Sequence, residues 1–327
     1  MRIGVWSLAH LHAYSYLSVL REHPDIEWLA LTDEDVVRGE HYAAEHGLPF
    51  IASADMLLEQ VDAVIITSAN ADHAAMAQHA AQAGVHALVE KPIATNLSDA
   101  RRMVEAFEDA NLVLATAFPC PFSPAFQELL RVTRAGDLGK ILALRTSNRG
   151  SMPGGFFIEL DRSGGGAVMD HTVHVADLLR RLVPSPIVRV YAEISHGLFH
   201  ETWDDSGILT IDFGDGCFAT LDCSWSRPRS YPTWGDVILH VVGEKGNATA
   251  DLFGQHVHLY PAERQPSSWL PWGTNLDALM IDDFVRAVKG QSAPMSSGMD
   301  GLEALRVTLA AYESARRNEP VYLGEIA

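Results

Sequence analysis

Over the first third of the chain, short apolar runs alternate with stretches whose apolar residues recur at helical spacing. Residues 3–6, 26–32, 63–67, 87–89 and 112–117 read as strands, because brief apolar runs bounded by turn residues suit strands covered on both faces. Between them 11–22, 36–46, 71–83 and 97–111 read as helices. Asn96 or Ser98-Asp99 is placed to cap the last, and Gly84 ends the one before it. Strand and helix alternating at this spacing predict right-handed parallel crossovers and a doubly wound sheet.

Beyond Pro119 and Pro121 the pattern changes. A helix over 123–135 and a turn at Gly136-Asp137-Leu138-Gly139 lead into a strand at 141–148. Longer strands of antiparallel appearance follow at 187–195, 208–213, 218–225, 236–242 and 256–260. Gly214 and Gly216, then Gly243 and Gly246, supply hairpin turns. Leu209, Ile211 and Phe213 alternate with more polar neighbours, which predicts one buried face. Two amphipathic helices, 276–289 and 302–317, close the pattern. The expected fold class is α/β: a doubly wound parallel sheet over 1–118, then an α+β domain over 119–327 with a large, mostly antiparallel open sheet. The stretch 261–271 reads as a loop, with Trp269 and Trp272 placed to cover a pocket.

Composition narrows the partners. The 327 residues carry a formal net charge of −18, which argues against nucleic acid and anionic membrane surfaces. No apolar run is long enough for a membrane helix, and no signal-peptide pattern precedes the first strand. Three cysteines, Cys120, Cys217 and Cys223, have no paired metal spacing and suit a reducing compartment, so a cytoplasmic protein is expected.

The chemistry gathers at a few points. Glu90-Lys91-Pro92 ends the strand at 87–89, and the carboxyl edge of an open α/β sheet is where ligands bind. A surface ion pair is the plain alternative. The first strand-to-helix turn, Gly4-Val5-Trp6-Ser7-Leu8-Ala9-His10-Leu11-His12, has Ser7, Ala9 and His12 where a G-x-G-x-x-G fingerprint has glycines. Asp33 follows the second strand, 21 positions after His12, and suits a ribose 2′-hydroxyl, with Glu34 and Asp35 repelling a 2′-phosphate. It is also placed to cap the helix at Val36. His10 and His12 can ligate a metal, donate to phosphate or substrate, or hydrogen-bond locally; the last is favoured and no metal is expected. In Gly164-Gly165-Gly166-Ala167-Val168-Met169-Asp170-His171-Thr172-Val173-His174, glycines let a ligand approach the backbone. Asp170 and His174 stand at i, i+4 on a predicted helix over 168–182, a proton-handling pair or a structural one. His171, His174 and Asp177 have spacing that could also hold a metal.

Glu90-Lys91-Pro92, the glycine run through Asp170 and His174, Ala81-Gln82-Ala83-Gly84 and Ala311-Tyr312-Glu313-Ser314-Ala315 together make the chain resemble the Gfo/Idh/MocA oxidoreductases over almost its whole length. The resemblance implies an N-terminal Rossmann domain and NAD(P)-dependent transfer of hydride between the cofactor and a secondary hydroxyl or ketone of a sugar, inositol or related polyol. It implies cofactor contacts from Ser7, Leu8, Ala9, His10, Asp33, Thr67, Ser68, Asn70, His73, Glu90, Lys91 and Pro92. Lys91, Asp170 and His174 are the implied catalytic residues, with Lys91, Arg149, Asp170, His171 and His174 toward substrate. NAD is expected over NADP, and a homodimer or homotetramer through the C-terminal sheet. Phe156 and Phe157 can stack on a sugar, and Asp204, Asp205, Asp222, Trp225 and Arg227 are open as substrate contacts or solvated side chains. An NAD-dependent glycoside hydrolase, which would recycle its NADH, and a non-catalytic NAD-binding regulator are the alternatives.

Overall fold

The computed structural model describes residues 1–231, 233–259, 268–271 and 273–326. It divides into two compact units: Met1–Pro119 with Glu159–Gly164 and Asp277–Leu305, and Cys120–Ile158 with Gly165–Leu276 and Arg306–Ala327.

In the first unit β1 (Arg2–Trp6), β2 (Trp28–Thr32), β3 (Ala63–Ile66), β4 (His86–Val89) and β5 (Leu114–Thr116) pair in parallel in the order β2-β1-β3-β4-β5. The crossovers carry α1 (His12–Glu22), α2 (Val36–His46), α3 (Ala54–Leu58), α4 (His73–Gln82) and α5 (Leu97–Asp109). All four residues of β3 are buried, as expected of a central strand covered on both faces. The order reverses between β1 and β3, so their carboxyl ends form the switch point where such sheets take ligands. Asn96 caps α5, its side chain accepting the Asp99 N–H. The cap of α2 is Asp35, whose carboxylate accepts the Arg38 N–H, and not Asp33. α3 was not anticipated, since five residues are too few to show a helical period; Ser53 caps it.

The chain then runs through α6 (Pro124–Arg134) and β6 (Ile141–Gly150), and returns to the first unit with α7 (Leu160–Ser163). The second unit resumes with α8 (Ala167–Leu182), β7 (Ile187–Ser195), β8 (Ser206–Phe213), β9 (Phe218–Ser224), β10 (Gly235–Gly243) and β11 (Asn247–Asp251). β12 (His256–Leu259) and β13 (Ser268–Pro271) form a hairpin. α9 (Leu276–Val288) and α10 (Gly298–Arg317) are followed by β14 (Val321–Tyr322). The large sheet has the order β11-β10-β6-β9-β8-β7-β14. Its pairs are antiparallel except β6 with β9, which run parallel because the chain crosses over through α8, β7 and β8 between them. The expected cover by Trp269 and Trp272 lies outside the side chains described.

Alternation assigns the faces of this sheet. Asn148 Nδ2 of β6 donates to His171 O of α8 at 3.1 Å, so Leu144, Thr146, Asn148 and Gly150 face that helix. Leu209, Ile211, Leu221, Leu239 and Val241 are buried on the same side. Every residue of α8 from Ala167 to Leu179 is buried. Its polar residues therefore need partners inside the protein. Among the described residues no helix is long and apolar enough to cross a membrane.

Candidate active site

In the first unit the β1–α1 turn is held by side chains where glycine is commonplace. Ser7 has φ of 82°, in the left-handed region. Its strain, about 1–2 kcal/mol for a non-glycine residue, is offset locally. Ser7 Oγ accepts the Ala9 N–H at 3.1 Å and donates to Glu34 at 2.7 Å, while Thr67 Oγ1 donates to Ser7 O at 2.6 Å. The His10 N–H donates to Thr67 O at 2.9 Å, tying the turn to the end of β3. Leu8 and Ser68 are buried.

At the end of β4, Glu90 is fully buried. Its Oε1 lies 3.0 Å from His12 Nδ1 and accepts from Tyr16 Oη at 2.6 Å; Oε2 accepts the Lys91 N–H at 3.0 Å. Burial opposes ionisation of this carboxyl, but the neighbouring His10 and His12, the hydrogen bond with His12 and Lys91 outweigh it, so its pKa falls. For His12 burial also opposes charge and Glu90 prevails, so its pKa rises. Burial and Glu90 together push the Tyr16 phenol well up. Lys91 is only 2% exposed, and its peptide bond to Pro92 is cis.

Asp33 sits at the end of β2, where Arg38 Nε and Nη2 donate to its two oxygens at 2.7 and 2.5 Å. His73 Nδ1 lies 2.9 Å from Pro92 O and Nε2 3.3 Å from Ser68 O, joining two segments, and burial lowers its pKa. Asn70 Nδ2 donates to Ser163 O at 2.8 Å, and its Oδ1 is buried with no hydrogen-bond partner among the described residues.

In the second unit α8 carries the chemistry. Trp225 Nε1 donates to Asp170 Oδ2 at 3.1 Å, and His171 Nε2 lies 3.2 Å from the same oxygen. His174 Nδ1 is 3.9 Å from Cys120 Sγ. Buried Asp177 accepts from Arg181 at 2.9 and 2.8 Å, which gives it a structural partner. The first turn of α8 rests on Asp204, whose Oδ1 accepts from Gly166 N and Tyr312 Oη at 2.9 Å each and whose Oδ2 accepts from Val168 N at 2.8 Å. Tyr312 Oη in turn accepts the Met169 N–H at 3.1 Å. These bonds satisfy amide groups that a helix leaves unpaired at its N-terminus. Burial and Asp204 push the Tyr312 phenol well up.

The glycines before α8 serve packing against this support. A Cβ on Gly166 would lie 1.9 Å from Asp204 O, and one on Gly165 2.2 Å from Tyr312 Oη. Gly166→Ala is therefore expected to destabilise the protein by about 1–3 kcal/mol or more, read as a lower denaturation midpoint in urea. An unchanged midpoint would mean that the backbone moves aside freely.

Asp204 and Asp205 are buried rather than solvated, and Asp205 accepts the Leu198 and Phe199 N–H groups at 2.8 and 2.9 Å. Arg149 projects from the sheet face opposite α8, where Asp236 pairs with it at 3.0 Å and with Arg227. Arg149, Asp222, His240 and Ile208 line a depression on that opposite face. The fold thus does not bring Arg149 to the face that holds Asp170. Phe156 and Phe157 are buried and stack on each other, with centroids 4.3 Å apart. Tyr16 was missed by sequence reasoning, although its i, i+4 spacing from His12 was a usable signal. Asn148 and Cys120 left none.

A doubly wound parallel sheet with buried charge at its carboxyl edge has the architecture of a dinucleotide-binding domain. Residues 3–118 match the model of an oxidoreductase family with an NAD-binding Rossmann fold, and 126–249 match the GFO/IDH/MocA C-terminal domain. The chain belongs to the Gfo/Idh/MocA family of oxidoreductases. It is 28% identical to myo-inositol 2-dehydrogenase of Thermotoga maritima over 284 residues, 81% of each chain. It is 26% identical to scyllo-inositol 2-dehydrogenase (NAD(+)) of Bacillus subtilis, over 99% of this chain and 96% of that one. A solved structure of a probable dehydrogenase from Thermotoga maritima superposes with a TM-score of 0.86 at 27% identity, over the whole of both chains.

Proposed function

We propose that the protein is an NAD-dependent dehydrogenase acting on a secondary hydroxyl of a sugar, inositol or related polyol. The observation that carries this reading is the burial of Lys91, Asp170 and His174, three titratable side chains of the types that alcohol oxidation needs. The inositol dehydrogenases among the relatives support the substrate class.

The residues of the first unit suit a dinucleotide. Ser7, Ala9 and His10 shape the turn at the switch point, Asp33 stands where a ribose 2′-hydroxyl is recognised, and Asn70 Oδ1 is a buried acceptor awaiting a donor. Leu8, Thr67, Ser68, His73, Glu90 and Pro92 complete the wall of that edge. Bound there, the nicotinamide supplies the hydride acceptor. His174 takes the hydroxyl proton, a task matched to an imidazole near neutral pH. Asp170, fixed by the Trp225 indole and flanked by His171, orients the hydroxyl. The Lys91 ammonium stabilises developing alkoxide charge. Self-association through the large sheet, where Ile208, Phe218 and Val242 are exposed, belongs to the same reading.

Calorimetry with NAD and NADP, then NADH production from a panel of inositols and aldoses, tests it. NAD binding followed by net NADH accumulation is expected; absence of binding to folded protein would overturn it. Cofactor choice rests on Asp33, which occupies the Arg38 guanidinium. Asp33→Ala leaves Arg38 with its 3.3 Å contact to Glu34 and turns more of the guanidinium toward a 2′-phosphate, and the NADP/NAD affinity ratio is expected to rise about tenfold or more. An unchanged ratio would remove Asp33 as the selector.

A further inference from the structure

The β1–α1 turn and the end of β4 bring together a donor set with ligating chemistry beyond the shaping of the cofactor edge. His10, His12 and Glu90 each offer one ligand atom, and these atoms lie within 4.8 Å of one another. Glu90 Oε1 is 3.0 Å from His12 Nδ1 and 3.7 Å from His10 Nδ1. Tetrahedral bonds of about 2.0–2.2 Å place neighbouring donor atoms roughly 3.3–3.6 Å apart. The two separations bracket that range, so one ion fits with small side-chain adjustments.

His10 Nδ1 accepts the His12 backbone N–H at 3.2 Å, a bond that an ion held at this nitrogen would replace. The Lys91 N–H and Tyr16 hydroxyl bonded to Glu90 are outer hydrogen bonds of the kind that orient a ligating carboxylate. His10 and Glu90 are shut off from solvent while the His12 side chain is 26% exposed, which gives an ion a way in. Two imidazoles and one carboxylate suit a borderline divalent ion such as zinc and leave a position open to a small oxygen or nitrogen donor; magnesium prefers oxygen ligands.

We propose that His10, His12 and Glu90 form a site for a zinc-class divalent metal ion in the β1–α1 turn. The site stands on its own geometry and does not depend on the substrate or direction of the redox reaction.

The full-length protein, stripped with a chelator and shown to be folded by circular dichroism, is titrated with Co²⁺ and Zn²⁺ by calorimetry and visible absorption. One equivalent is expected to bind, with Co²⁺ giving the intense visible bands of a low-coordinate site that Zn²⁺ displaces and Mg²⁺ does not. His12→Gln and the double variant with His10→Gln are expected to weaken binding about tenfold or more. No stoichiometric uptake by folded wild-type protein, or equal uptake by the folded double variant, overturns the site. Should the variants fail to fold, X-ray absorption of the wild-type Co²⁺ complex decides: two imidazole ligands support the site, and an all-oxygen shell overturns it. NAD binding, measured on the same preparations, reports separately on the oxidoreductase reading.

Discussion

Replacing His174 with alanine is expected to lower kcat for NAD-dependent alcohol oxidation by about 10²–10⁴-fold, the usual scale of a lost general base. NAD affinity, which draws on residues of the first unit, should stay essentially unchanged. The imidazole is buried on a helix whose neighbours are themselves buried. Steady-state kinetics and calorimetry on the same preparation separate the two effects. A turnover within a few-fold of wild type would take the base role away from His174. Lys91→Ala should also cost kcat, by about 10²–10³-fold if its ammonium stabilises alkoxide character as a preorganised donor does.

Asp204→Ala is expected to destabilise the protein by about 3–5 kcal/mol, because one side chain accepts from Gly166 N, Val168 N and Tyr312 Oη inside the protein. Removing it leaves several buried donors unsatisfied at the end of α8. Tyr312→Phe removes the acceptor of Met169 N and one donor to Asp204, and should cost less, about 1–2 kcal/mol. Chemical denaturation followed by far-UV circular dichroism ranks the two. A ranking in which Tyr312→Phe costs as much as Asp204→Ala would show that the phenol, rather than the carboxylate, anchors the helix. Since α8 carries Asp170 and His174, a partial loss of stability at its start should appear as reduced activity before global unfolding.

Much of the fold was legible. The α2 span read from the sequence coincides with the observed helix, and the five strands of the first unit differ from observation only at their ends. The placement of Glu90 and Lys91 at the end of β4 was legible too, because a proline after two charges stops a buried strand. Less legible were the partners. The parallel pairing of β6 with β9 depends on which distant strand lies alongside, and each strand has the same period either way. Asp204 and Asp205 look like solvated loop residues because burial is a property of what covers them. Arg149 reads from the sequence as part of the site, and the parity of β6 puts it on the other face.

The sequence by itself determined the alternation of strands and helices and the change of pattern after Pro119 and Pro121. These follow from local rules: periods of two and 3.6, turn residues, and strand ends. Only the tertiary structure decided that His12 meets Glu90 across 78 positions, that Gly166 rests on Asp204 across 38, and that Met169 reaches Tyr312 across 143. Such contacts are chosen by how elements pack against one another, and a residue's own neighbours in the chain carry almost no record of that choice.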